Sequence, residues 1–253
     1  MEQVSSLPKV AFVVNLAARH QDDAIAARGN HLVHLFSGHR LPATWTVDGA
    51  EQATQLQQQL ASPIKNDLAL RIASPAFRPN SSPAQFRAEL RAQIAVLGAA
   101  NGAALRLVVG DPQLLRPRAS LLAEQGIRGI MPVMPERQAV AKPRPLSCGL
   151  WQLEPSFSVP VKRRLASLLR SACPSVKQLI AATPTETTLV QVQADEFGRT
   201  GARSLQGLEK MLREISWAAS RDQLVVSTVG ELLTTLASQR AVSPQRSILR
   251  EAA

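Results

Sequence analysis

An α/β fold built on a parallel sheet is what this 253-residue chain predicts, and three observations carry the prediction. Short apolar runs rich in β-branched residues recur along the chain, as in strands buried on both faces. Between them lie stretches whose apolar residues fall at helical spacing, which supply the crossovers that parallel strands require. The turns joining strand to helix are only a few residues long. At 45% apolar residues the chain can bury one sizeable core, and it shows neither a fixed-period repeat nor a low-complexity segment.

Taken in order, Lys9 to Val14 (KVAFVV) is the first strand, and Ala24 to His39 is a helix carrying Leu32, Leu35 and Phe36. Pro42 to Val47 is the second strand. Asp48, with Glu51 three residues on, reads as the N-cap of a helix ending near Leu60. Asp67 to Ala73 is the third strand. Ser82, Pro83 and Gln85 make a capping serine, a proline suited to the first helical position and a reciprocal cap. Phe86, Leu90, Ile94 and Leu97 then share one helical face, which Asn101-Gly102 closes. Ala104 to Val109 and Arg128 to Val133 read as strands flanking a helix from Gln113 to Gln125.

The prolines and charges between Met134 and Pro145 predict an irregular connection. Leu150 to Leu153 is a further strand, and Val161, Leu165, Leu168 and Leu169 mark a helix. Thr187 to Val192 is a strand, Leu205, Leu208, Leu212 and Ile215 line a longer helix, and Gln223 to Ser227 is the last strand. Thr228 with Glu231 forms a capping box ahead of Leu232, Leu233 and Leu236. The expected organisation is an arm at 1–8, one domain at 9–239 and a loosely held basic tail at 240–253.

Composition removes several function classes. No run of eighteen apolar residues exists, so no helix is expected to span a membrane, and the start of the chain reads as a strand and not a secretory signal. Cys148 and Cys173 are isolated thiols, which favours a reducing, cytoplasmic setting. The net charge of +10 comes mostly from arginine and could attract nucleic acid, anionic lipid or acidic glycans. Its densest cluster, Lys162-Arg163-Arg164 with Arg170, lies on one predicted helix. Tyrosine is absent and aromatics make up 4%, so there is no stacking platform for bases, and a solvated basic surface is the expectation. Phosphate-loop, dinucleotide, serine-hydrolase, HExxH and CxxC patterns are all missing.

Five stretches, in order, resemble the polysaccharide-deacetylase (NodB-homology) family: FSGHRLPATWTVDG from Phe36, NDLALRIAS from Asn66, the run from Ser82 to Gly129, ARSLQGLEKMLREI from Ala202 and LVVSTVGELLTTL from Leu224. The resemblance covers nearly the whole chain, from about Lys9 to Leu236. The resemblance implies a distorted (β/α)7-type barrel, with about seven β/α units and its cleft at the C-terminal strand ends. It also implies a divalent metal held by an aspartate and two histidines. All four histidines of this chain, His20, His31, His34 and His39, lie in its first forty residues.

Carried over position by position, the family's chemistry is lost. The aspartate pair closing strand one maps to Asn15 and Leu16; asparagine takes no proton at neutral pH and leucine binds no metal. The histidine ligands map to Arg71 and Pro75, and a cation there would repel a divalent ion. The arginine-proline-tyrosine segment becomes Arg106 to Gly110, and the late general-acid histidine falls near Gln191 in Val190 to Gln193. These positions are expected to converge as a vestigial cleft, with no catalytic residue, metal or cofactor.

Other residues have bland readings beside sharp ones. His31 and His34 sit three apart on a helix without a nearby carboxylate, and His20 with Asp22 and Asp23 is the best surviving metal candidate. Asp111, Asp195 and Glu196 fall near strand ends; Asp195 with Glu196 could supply a carboxylate to the mouth of the cleft or be a solvated loop pair, Met131 and Met134 are core or rim, and Trp45 could line a cleft. Trp151 and Trp217 are too dispersed to form a sugar platform. The sequence therefore predicts a catalytically silent deacetylase-like protein that binds a protein partner or a glycan-like ligand. An active hydrolase of C–N bonds on N-acetylated carbohydrate is the first alternative, and a basic nucleic-acid binder the second.

Overall fold

The computed structural model describes residues 7–16, 23–60, 64–72, 77–78, 81–101, 104–133, 142–146, 148–160, 173–177, 179, 187–200 and 202–242. Among the described residues, ten strands form one sheet: β1 (Lys9–Asn15), β2 (Thr44–Val47), β3 (Asp67–Ile72), β4 (Leu107–Gly110), β5 (Gly129–Pro132), β6 (Arg144–Pro145), β7 (Trp151–Gln152), β8 (Phe157–Val159), β9 (Thr187–Gln193) and β10 (Val225–Ser227). Their order is β6-β7-β5-β4-β3-β2-β1-β9-β8, with β10 beside the first half of β1. Every pairing is parallel except β6 with β7.

One short stretch of chain curls this sheet. β7 pairs with β5 and β8 pairs with β9, with only Leu153 to Ser156 between them. Within that interval Leu153 N–H donates to the Ile130 carbonyl at 2.9 Å, and Ser156 N–H donates to Leu189 at 2.8 Å. The two sides of the sheet thus meet on the same segment, which makes a distorted barrel.

Period-two alternation then sorts the side chains. Ala11, Val13, Ala69, Leu107, Val109, Met131, Leu153 and Leu189 form an inner apolar cluster. Val10, Phe12, Val14, Trp45, Leu70 and Val108 face the outer layer, where they pack under the helices. The helices are α1 (Asp23–Gly38), α2 (Ala50–Gln59), α3 (Pro83–Asn101), α4 (Pro112–Leu115), α5 (Ala119–Glu124), α6 (Ala194–Thr200), α7 (Ala202–Ala219) and α8 (Val229–Val242).

α8 closes the N-terminal end of the barrel. Its first N–H groups are taken up by the starts of neighbouring strands: Val229 donates to Thr44 Oγ1 at 2.9 Å and Gly230 to Asp67 Oδ2 at 3.0 Å. Such groups have no partner within their own helix, so the strand side chains complete them. Leu232 and Leu233 enter the inner cluster. Gly129 leaves room for this approach, because an added Cβ would lie 2.9 Å from a Leu233 methyl.

The predicted capping box of α8 is present, with Glu231 N–H donating to Thr228 Oγ1 and Thr228 N–H to Glu231 Oε2, both at 3.3 Å. Lys65 Nζ also donates to Glu231 at 2.7 Å, and this bond holds the Glu231 carboxyl below its ordinary 4.5 against the opposing effect of partial burial. A depressed carboxyl pKa contributes stability above the unfolded-state value and loses it as pH falls through the folded value. The Tm gap between the wild type and Glu231→Ala should therefore be fully open at neutral pH and close on acidification below 4.5. A gap that is unchanged by acid would show that the carboxylate's charge does not hold the helix.

Several sequence expectations need correction. Asp48 is not the α2 cap: Gly49 holds that position without a side-chain bond, and Asp48 turns toward the barrel end. The predicted helix from Gln113 to Gln125 is broken by a 3-10 turn at Arg116–Arg118, whose central residue is Pro117. Its start is capped instead by Asp111, which accepts from Gln113 N–H at 2.8 Å. Asp195 and Glu196 lie in the first turn of α6 and not in a loop. β8 went unforeseen. The predicted helix through Val161 and Leu169, with Lys162, Arg163, Arg164 and Arg170, lies outside the described residues, as do Gly102 and Met134.

Candidate functional site

The C-terminal strand ends carry a layer of polar side chains above the apolar interior. Val13 and Asn15 of β1 point inward, as do Thr46 of β2, Arg71 of β3 and Gln191 and Gln193 of β9, by alternation with the inner cluster. Asn15, Thr46, Gln191 and Gln193 are all buried.

Backbone carbonyls at the end of β5 orient the amides. Gln191 Nε2 donates to the carbonyls of Pro132 at 3.1 Å and Val133 at 2.9 Å, and Gln193 Nε2 donates to Val133 at 2.7 Å. Asn15 Nδ2 donates to Gln193 Oε1 at 3.2 Å. Two strands that do not pair at this level, β5 and β9, are thus joined through side chains. Thr46 Oγ1 donates to the Val14 carbonyl at 3.3 Å.

Arg71 lies beside this layer. Its Nη1 donates to the Leu16 carbonyl at 2.6 Å, and its Nε is 3.9 Å from Asp48 Oδ1, with both side chains largely covered. Leu16 contributes only its backbone here. Its side chain belongs to the outer cluster, 3.7 Å from where a Cβ on Gly29 of α1 would stand. Among the described residues, the buried polar atoms without a hydrogen-bond partner include Asn15 Oδ1, Gln191 Oε1 and Arg71 Nε.

The sequence-derived positions therefore divide. Asn15, the Leu16 carbonyl, Arg71 and Gln191 come together at the C-terminal end. Arg106 does not, and this corrects the expected convergence. It precedes β4, so it stands at the N-terminal end, where it donates to the Gly230 carbonyl at 3.3 Å and to the Thr234 hydroxyl. It helps to line a cavity of about 170 Å³ there with Lys65, Asp67 and Glu231. Pro75 lies outside the described residues. Sequence reasoning missed Gln193, Thr46 and the role of Asp48. Strand alternation alone would have placed Gln193 beside Gln191 and Thr46 beside Asn15.

The divalent metal of the resembled family does not fit these residues. Magnesium- or zinc-like ions need carboxylate, imidazole or thiolate ligands. This layer offers neutral amides and a guanidinium, and its nearby carboxylate, Asp48, already faces that guanidinium. Among the described residues no group of three or more histidine, cysteine, aspartate or glutamate side chains is placed to hold an ion. His31 and His34 are exposed on α1, while His20 and Asp22 lie outside the described residues.

Remaining candidates are structural. Trp45 is fully buried, packs edge-on to Phe36 and donates from Nε1 to Asn66 Oδ1 at 3.1 Å, so it lines no cleft. Met131 belongs to the inner cluster. Trp217 is exposed under the Arg221 guanidinium. Cys148 and Cys173 form no disulfide, and burial pushes the Cys173 thiol up to about 12.

Comparison with solved structures places this geometry in a known fold. A candidate polysaccharide deacetylase from Mycobacterium smegmatis superposes with a TM-score of 0.61 at 14% identity, over 95% of this chain and 93% of that one. Puue allantoinase gives 0.58 at 13% identity, over 92% and 91%. The 4-alpha-glucanotransferase of Thermococcus litoralis gives 0.58 at 12% identity, over 90% of this chain and 40% of that one. No sequence-family profile and no curated protein sequence matches the chain. The protein has the polysaccharide-deacetylase fold, a distorted β/α barrel. Since that fold serves several chemistries, the strand-end residues must decide the function.

Proposed function

We propose that this protein is a catalytically silent member of the polysaccharide-deacetylase-like proteins, acting in carbohydrate metabolism by binding a glycan-like ligand or a protein partner. One observation supports this above the others: Asn15, Arg71 and Gln191 meet at the strand ends as neutral amides and a cation, where the resembled family uses acids and imidazoles. Amides do not exchange protons near neutral pH and a guanidinium stays charged, so no group in this layer can act as general base or acid. That Cys148 and Cys173 form no disulfide accords with the reducing, cytoplasmic setting proposed for the chain. Among the described residues no helix is long and apolar enough to cross a membrane.

The test is acetate release from N-acetylglucosamine oligomers, with zinc, cobalt or nickel supplied in turn. The expected result is release no faster than in buffer. Metal-stimulated release that disappears in His20→Ala would instead establish the alternative, an active hydrolase of C–N bonds with ligands from the loop after β1.

A further inference from the structure

The cavity of about 170 Å³ at the N-terminal end of the barrel has more hydrogen-bond donors left to use than acceptors. Its polar side gathers on the first turn of α8, where Thr44 meets Val229, Arg106 meets Gly230 and Lys65 meets Glu231. Its apolar side includes the buried Leu68 and Leu107. Formal charge does not decide what fits, because Lys65 and Arg106 are matched by Asp67 and Glu231. The partners already taken do decide it. Glu231 has committed both oxygens, one to Lys65 Nζ at 2.7 Å and the other to Thr228 N–H at 3.3 Å. Asp67 Oδ2 accepts from Gly230 N–H at 3.0 Å, which leaves Oδ1 as the spare carboxylate oxygen. On the donor side, Lys65 gives one N–H to Glu231 and keeps the rest. Arg106 gives Nη1 to the Gly230 carbonyl and the Thr234 hydroxyl, while its Nε and Nη2 have no partner among the described residues. Thr44, only 1% exposed, accepts from Val229 N–H at 2.9 Å and still has its own proton to donate, with no described acceptor for it.

From this pattern we infer that the N-terminal cavity binds a small organic acid, a carboxylate head carrying an apolar body about the size of one ring. The site lies at the barrel end opposite the strand-end amides and needs nothing from them. The α8 N-terminus is already answered by Asp67 and the capping box, so the surplus of donors comes from Thr44, Lys65 and Arg106. A guanidinium with a free Nε and Nη2 presents the paired N–H bonds that a carboxylate accepts. A buried hydroxyl proton without an acceptor costs free energy, so an oxygen that takes it is favoured. A metal cation is disfavoured by the two cationic side chains. Size sets the rest: a cavity of about 150 Å³ lined by apolar side chains holds benzene, so this one has room for a ring with its head group. The ring would cover Leu68 and Leu107, which a bare inorganic anion would leave unmet.

The experiment titrates the full chain with benzoate, neutral benzamide and inorganic phosphate in turn, in buffer that contains no other carboxylate or phosphate. It follows the backbone amide signals of Thr44, Val229 and Gly230. Benzoate should shift these signals along a saturating curve. Benzamide keeps the ring without the charge and phosphate keeps the charge without the ring, and each should bind about tenfold more weakly. Arg106→Gln should weaken benzoate about tenfold through loss of a charge-assisted bond. Lys65→Gln should weaken it less, because the Lys65 side chain is largely exposed. If Arg106→Gln does not fold, Lys65→Gln tests the same cluster from the surface, and the comparison of probes on the wild type needs neither. No saturable shift with millimolar benzoate would overturn the inference. So would benzamide or phosphate binding as tightly as benzoate, or a folded Arg106→Gln that binds benzoate unchanged.

Discussion

Trp45→Ala should lower the free energy of unfolding by about 3–5 kcal/mol, the range for truncating a fully buried aromatic residue. The indole sits between the sheet and the helical layer, with ring centroids 5.6 Å from Phe36, which itself packs at 5.2 Å on Phe12. Removing it opens a cavity at one end of that aromatic row, beside Phe36. It also strips the Nε1 bond from Asn66, whose Oδ1 holds the Ala43 N–H as well. Trp45→Phe keeps most of the packing and should cost only about 1 kcal/mol, the value of a typical hydrogen bond. Urea midpoints at unchanged m would measure both. An alanine variant within about 1 kcal/mol of wild type would mean that the site collapses freely, contrary to dense core packing.

The same residue shows what the sequence made legible. Strands β1, β3, β4, β5 and β9 announce themselves as β-branched apolar runs because both their faces are covered. The helices α3 and α8 are fixed by side-chain caps that form as predicted, with Gln85 N–H on Ser82 Oγ at 3.2 Å in the first and Glu231 on Thr228 in the second. Trp45 misled because it stands near the end of a strand. Which face it occupied depended on the register of β2 against β1, a tertiary fact. β8 was illegible for another reason. Its pairing with β9 joins residues far apart in sequence, and its three residues carry no pattern of their own.

At the site, Asn15, Arg71 and Gln191 could be placed because each lies near the end of a readable strand. Arg106 was misplaced because motif similarity carried it, whereas chain direction decides the matter. A residue that precedes a parallel strand sits at the barrel's N-terminal end, and Arg106 comes just before Leu107. Asp48 was misread because its spacing to Glu51 imitates a capping box. In the structure its N–H is met by Gln52 Oε1 at 2.9 Å, which frees the carboxylate to face Arg71. Local sequence could not weigh a guanidinium arriving from a different strand against a local cap.

Leu16→Asp, which restores the acid that the resembled family has at this position, should destabilise the protein by about 3–5 kcal/mol at neutral pH. The Leu16 side chain belongs to the layer beneath α1 with Leu32 and Val33, while Arg71 meets only its carbonyl. The new carboxylate would enter hydrocarbon and not the mouth. Burial disfavours its charged form and raises its folded-state pKa. The penalty should accordingly grow as pH rises through the interval above the unfolded value and shrink at acid pH. EDTA should leave the wild-type Tm unchanged, because the strand-end layer is held by amide and guanidinium hydrogen bonds that need no ion. Added zinc should not rescue the variant. A variant that gains stability from zinc, or a wild type that loses it to EDTA, would place an ion site at the strand ends and overturn the proposed silence. If both remain indifferent to metal while Leu16→Asp unfolds more easily at neutral than at acid pH, the former ligand position has become part of the apolar framework.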